Sequence, residues 1–178
     1  MGTIVAVAGN QSQGGRARDE SWDVADRFDE AYYKNYASDT DAPYVRPSPH
    51  WEAFFEGVAD FIVAQLDPRT VLDAGCGVGF LVEALRRRGV DARGFDISEY
   101  AISQLPPALR PFCTLASITE EIEGHYDLIT CIEVLEHVPR QLTDSALDNL
   151  AAHSDRLLFS STPDGGSEPT HVNVRTPD

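Results

Sequence analysis

The sequence predicts an α/β protein built on a doubly wound, mostly parallel sheet. Five short apolar runs, at residues 70–74, 92–96, 112–116, 126–132 and 156–161, have the length of buried strands. Helical stretches separate most successive pairs, and strand alternating with helix returns the chain to the same end of the sheet, so neighbouring strands run parallel. The third observation is "VLDAGCGVGFLVEAL" at residues 71–85, which packs three glycines into five residues between a strand and a helix. That is where such a sheet brings main chain closest to a ligand.

Taken in order, residues 1–18 read as a mobile lead-in with neither a basic leader nor a long apolar core. Gly9 to Gly15 resemble a phosphate loop only until Arg16 and Ala17, which stand where lysine and a hydroxyl residue are required. Over residues 20–37, Trp22, Ala25, Phe28, Tyr32 and Tyr36 recur at three and four and predict one amphipathic helix. Residues 39–49 hold three prolines and form a loop ending in Ser48-Pro49, a cap followed by a first-turn proline. The next helix, residues 50–66, carries a stripe of Trp51, Phe54, Phe55, Val58, Phe61 and Ile62 and stops at Asp67-Pro68. Residues 81–88 form a helix ending at Gly89, and residues 98–105 one that opens on Ser98 and closes at Pro106-Pro107. Arg86, Arg87 and Arg88 oppose the dipole of a last turn and are assigned no ligand. The organisation is a flexible segment, 1–18, and a single domain, 19–178, whose residues 19–67 form a helical cap.

A chain of 178 residues with 42% apolar and 24% charged residues supports one domain, and no apolar run reaches membrane-spanning length. Its 14 basic and 29 acidic residues give a net charge of -15, which repels phosphate backbones and anionic lipid. Neither nucleic acid nor membrane is an expected partner. Cys76, Cys113 and Cys131 lie in apolar stretches and read as small buried hydrophobes in a reducing cytoplasm.

In the glycine stretch, Gly75, Gly77 and Gly79 are spaced G-x-G-x-G, and Phe80 occupies the third glycine position of a dinucleotide fingerprint. Asp96 ends the following run, seventeen residues past Gly79, where a carboxylate can accept both ribose hydroxyls of an adenosyl ligand. With "YDLITCIEVLEHV" at 126–138, these residues resemble the class I S-adenosylmethionine-dependent methyltransferases over residues 71–162, which have a Rossmann-like fold. The resemblance implies that the cofactor is S-adenosylmethionine, that Asp73 and Gly75 lie near its methionine end, that Asp96 holds the ribose and that Ile97 packs on adenine. It also implies that Ser117 and Ile118 border the adenine amino edge, where relatives often have an acidic residue. The family's sheet continues through an antiparallel strand pair, which this sequence lacks; an uncovered edge predicts a homodimer.

The cofactor brings an electrophilic methyl, so positioning supplies most of the catalysis, and an oxygen or nitrogen acceptor also needs a base. Glu133, Glu136 and His137 fall at the end of the fourth strand. In one reading Glu133 borders the cofactor and His137 is the base, with His171 of the tail beside the acceptor and no metal. In the other, Glu133, Glu136, His137 and His171 form a divalent-metal site, as in small-RNA 2'-O-methyltransferases. Asn173 also reaches towards the acceptor, whereas Tyr32, Tyr33, Tyr36 and Tyr44 read chiefly as packing, on an aromatic N-terminal helix able to wall an apolar acceptor. The leading expectation is methyl transfer to O, N or C of a small molecule. Cyclisation of the cofactor and a non-catalytic partner module are the alternatives, with a nicotinamide oxidoreductase disfavoured by Phe80.

Overall fold

The computed structural model describes residues 20–35, 42–162 and 170–174. Five strands, β1 (Thr70–Ala74), β2 (Asp91–Asp96), β3 (Cys113–Leu115), β4 (Leu128–Ile132) and β5 (Leu157–Ser160), form one sheet in the order β3-β2-β1-β4-β5. Every pairing is parallel, so the doubly wound expectation holds. Strand order reverses between β1 and β4, and that switch point fixes where a ligand can enter between strand ends. The expected lead-in, 1–18, and the tail residues 163–169 lie outside the described residues.

Helices cover both faces: α1 (Glu30–Asn35), α2 (Pro49–Leu66), α3 (Phe80–Arg87), α4 (Glu99–Ser103) and α5 (Thr143–Ala152). Alternate residues of each strand divide between two cores. Val71 and Leu128 face the layer that holds Ile62, Val82 and Leu85, while Leu72 and Ile129 face Ala146 and Leu150. Ser48 caps α2, its Oγ accepting the Trp51 amide at 3.4 Å, and Asp67 ends the helix at φ 44 with its N–H on the Ile62 carbonyl. Phe55, Ala59 and Ile62 are the buried stripe of α2, which packs on α3. Arg87 and Arg88 do more than face a helix dipole: Arg87 pairs with Glu56 at 2.6 Å, and Arg88 pairs with Glu56 at 2.5 Å and Asp60 at 2.8 Å, tying α3 to α2.

Two elements differ from their sequence reading. The helix expected over 20–37 is broken into a 3-10 segment, Glu20–Arg27, and α1, because Asp29 Oδ1 takes the Tyr32 amide at 2.9 Å and starts a second helix. Tyr36 and Ala37 lie outside the described residues. The helix expected over 98–105 shortens to α4, since Ser98 stands outside it as the cap, accepting the Ala101 amide at 3.0 Å. On β2, Gly94 is required by neighbours: a Cβ there would lie 2.7 Å from the Cys76 Cβ, so its absence lets the glycine loop settle onto the sheet.

Candidate active site

The carboxyl ends of β1, β2 and β4 open into a cavity of about 630 Å³ beneath the N-terminal segment. Its floor is main chain. Gly75 adopts φ 82, and a Cβ there would collide with the Val134 side chain; at Gly77, φ 51, a Cβ would come within 2.9 Å of the Tyr44 ring. Only glycine satisfies both the left-handed backbone and the missing space.

Asp96 is 8% exposed and lines the cavity. Its Oδ2 accepts the Gly77 amide at 2.7 Å and its Oδ1 the Ser98 amide at 2.8 Å, so one carboxylate both fixes the loop and faces the ligand space. Burial pushes its pKa up, opposed by the amides of Ser98, Gly77 and Ile97. Ser98 in turn donates from Oγ to the Phe28 carbonyl at 2.5 Å, docking the N-terminal segment over the cavity.

Of the other residues singled out in the sequence, Ile97, Ser117, Ile118, Glu133, His137 and His171 reach the cavity wall. Asp73 and Gly79 are not among its lining residues. Asp73 lies beneath, taking the Thr130 hydroxyl at 2.7 Å, and burial pushes its carboxyl up to about 7. Gly79 starts α3 at φ 79, where a Cβ would meet Leu105 at 2.6 Å. Arg46, which sequence reasoning passed over, braces this loop from outside. Its Nε donates to the Val78 carbonyl at 2.6 Å, Nη1 pairs with Glu83 at 2.7 Å, and the guanidinium stacks 4.2 Å over the Phe80 ring.

At the β4 end, Glu133 holds φ 52, an uncommon backbone state for a residue with a side chain. Glu136 is fully buried; Oε2 accepts the Ser161 hydroxyl at 3.1 Å and Oε1 the Thr162 amide at 3.4 Å. Burial, then the hydrogen bond to Glu133, push its carboxyl up to about 8. Its carbonyl accepts the Val172 and Asn173 amides, each at 2.9 Å, which pins the tail beside the site. His137 Nδ1 lies 3.2 Å from the Thr170 carbonyl and 3.0 Å from the Thr170 hydroxyl. A carbonyl only accepts, so the tautomer with Nδ1 protonated satisfies it and leaves the lone pair on Nε2. The His171 ring stands 4.9 Å from that of His137.

Glu136, His137 and His171 bring one potential ligand atom each within 4.8 Å of one another. Glu133, grouped with them in the metal reading of the sequence, is outside that set. Asn173 does not face the acceptor space as expected: it is 8% exposed, and its amide donates to the Leu135 carbonyl at 3.2 Å and the Thr143 hydroxyl at 2.9 Å.

The opposite wall is aromatic; the sequence pointed to an N-terminal helix able to wall an apolar acceptor but assigned none of its rings, nor Tyr44, to the cavity. Phe28, Tyr32, Tyr33, Tyr44, Trp51, Phe54 and Phe55 all line the cavity. Tyr33 and Tyr44 stack with centroids 6.1 Å apart, and burial raises both phenols well above their ordinary range, with Asp96 adding to the shift at Tyr33 and Asp73 at Tyr44. Both therefore stay protonated donors at neutral pH. The helical recurrence of aromatic residues was the available signal, but periodicity does not distinguish a ring on a core from a ring on a cavity.

A family profile described as a methyltransferase domain matches residues 48–174. The ubiquinone biosynthesis O-methyltransferase of Pseudomonas paraeruginosa is 39% identical over 84 residues, 43% of this chain and 36% of that protein. That of Methylococcus capsulatus is 36% identical over 103 residues, 53% of this chain and 43% of its own length. The chain thus spans about two fifths of the length of these curated relatives. Among solved structures, magnesium protoporphyrin IX methyltransferase from Synechocystis PCC 6803, with bound SAM, superimposes with a TM-score of 0.60 at 25% identity, covering 82% of this chain and 77% of that one.

Proposed function

This chain belongs to the methyltransferase-domain family, and from that premise we propose that it transfers a methyl group from S-adenosylmethionine to O, N or C of a small-molecule acceptor. One observation carries the reading: Asp96, held by the Gly77 and Ser98 amides, stands on the cavity wall beside glycines whose Cβ positions are already occupied. Asp96 accepts the ribose hydroxyls, Ile97 and Ile118 flank the adenine, Ser117 borders its amino edge, and the main chain of Gly75 and Gly77 faces the rest of the nucleoside. Glu133 borders the methionine end. Asp73 and Gly79 act from below, by shaping the loop. The SAM-bound structure of the Synechocystis relative supports the choice of cofactor.

When bound, the cofactor supplies the electrophilic methyl, so the protein needs no reactive centre of its own. The chain's task is to hold the acceptor in line, keep water out and take up a proton. The aromatic wall does the first two. His137, with its Nδ1 engaged by Thr170, takes the proton at Nε2, and His171 lies beside it at the acceptor end. This reading uses no metal: Glu136 acts by holding Ser161 and Thr162 in place.

Calorimetry with S-adenosylhomocysteine tests the cofactor assignment; no heat from folded protein would refute it. Mass spectrometry after incubation with S-adenosylmethionine alone separates transfer from cyclisation, since a new product without acceptor favours cyclisation. Three buried, unpaired cysteines support a reducing, cytoplasmic setting. For assembly we propose a homodimer, which light scattering tests.

A further inference from the structure

The lining of the cavity is unusual in its charge. Among the described residues that form it there is no lysine or arginine, while Asp96, Glu133 and Glu136 contribute three carboxyl groups and eight phenylalanine, tyrosine and tryptophan rings line it. The nearby cation Arg46 is not among the lining residues: it pairs with Glu83, donates to the Val78 carbonyl and lies on Phe80, although its Nη2 is buried without a hydrogen-bond partner. S-adenosylmethionine brings one net positive charge. Asp96, Glu133 and Glu136 place three carboxyl groups around that charge.

We infer that the acceptor is a ring-bearing amine or uncharged hydroxy compound, and that the cavity rejects acceptors carrying a carboxylate, sulfate or phosphate. The inference rests on the proposed cofactor reading. An anion entering this space loses its hydration, meets no guanidinium or ammonium among the described lining residues but only the imidazoles of His50, His137 and His171, and faces carboxylates across a low-dielectric interior. An apolar ring gains the aromatic wall, and an ammonium gains both the ring faces and the carboxylates. For an amine the step balances simply. The ammonium gives a proton to the base, the nitrogen lone pair forms the bond to the methyl carbon, and the carbon–sulfur bond breaks with its pair going to sulfur, leaving S-adenosylhomocysteine and a methylated ammonium.

The test uses the full chain saturated with S-adenosylhomocysteine, which first establishes cofactor binding independently; failure there sinks the cofactor reading rather than this one. Three ligands of one shape are then titrated: 3-phenylpropylamine, 3-phenylpropanol and 3-phenylpropionate. The amine and the alcohol should bind at least about tenfold more tightly than the acid. Phe54→Arg places a cation on the cavity rim at a side chain that is 50% exposed, so the fold tolerates it, and it should improve acid binding about fivefold or more. Acid binding as tight as alcohol binding overturns the proposal. So does tighter binding of a short single-stranded RNA, with or without Mn2+, or the failure of all three phenyl ligands at millimolar concentration while S-adenosylhomocysteine binds.

Discussion

The two sides of the cavity are built from different material. The cofactor side is backbone: a five-residue loop whose glycines leave no room for a Cβ, fastened by one carboxylate on the next strand. The acceptor side is side chains, drawn from the N-terminal segment, from α2 and from a tail held by hydrogen bonds to the Glu136 and Leu135 carbonyls, the Thr143 hydroxyl and His137. A backbone site has few ways to change without losing the fold. A wall of rings can alter shape one residue at a time, so the first side should be intolerant of substitution and the second adjustable.

The strongest challenge to this contrast is Gly75→Val. It adds atoms where Val134 already sits and imposes a left-handed backbone on a β-branched residue. Affinity for S-adenosylhomocysteine should fall more than about a hundredfold by calorimetry, with thermal stability lowered as well. Near-normal binding would mean the loop is not what grips the nucleoside. Next comes Asp96→Ala, which removes charge-assisted hydrogen bonds of roughly 1.5–3 kcal/mol, or about ten- to a hundredfold in affinity.

A third test lies at the junction of the two sides. Burial pushes Glu136 up to about 8 from an ordinary 4.5, so between those values the folded chain keeps a proton that the unfolded chain releases. Stability is therefore fully present below the unfolded value and declines as pH rises towards 8. Glu133, Ser161 and Thr162 hydrogen-bond this carboxyl, and a ring nitrogen of His137 and one of His171 lie within 4.8 Å of it. Glu136→Gln has no proton to lose, and its melting temperature should fall less than that of the parent between pH 5 and pH 8. The slope should not vanish, since Asp73, pushed up to about 7, acts in the same direction. Parallel pH profiles for the two proteins would show that Glu136 is not the group responsible.

The smallest effect belongs to the adjustable wall. Trp51→Ala should leave S-adenosylhomocysteine affinity within about twofold and raise the acceptor KM, because the ring stands on the acceptor side and its loss removes apolar contact and one hydrogen bond, Nε1 to the Ala42 carbonyl at 3.1 Å. A matching loss of cofactor affinity would erase the distinction between the sides.

Much of this molecule was legible in the chain before folding was considered. The five strands, the positions of the helices on α2 and α3, the glycine loop and Asp96 all follow from local rules: apolar run length, caps, and residues that must lack a Cβ. What went unread depended on distance. The break at Asp29 needed the side-chain cap on Tyr32, and the role of Asn173 needed Leu135 and Thr143, more than thirty residues away. An aromatic N-terminal helix able to wall an apolar acceptor was legible, but which of Phe28, Tyr33, Tyr44 and Trp51 face the cavity was not, because periodicity reports which residues turn inward and not whether a core or a cavity lies there.

By itself, then, the sequence determined the sheet order's parallel character and the nucleoside grip, since both are written in short contiguous stretches where each residue's conformational limits act on its neighbours. Only the tertiary structure decided the acceptor wall, the moving of Asp73 beneath the loop and the pinning of the tail against Glu136. Those depend on segments that meet in space after the sheet has formed, and burial, which sets their chemistry, is a property of the assembled fold.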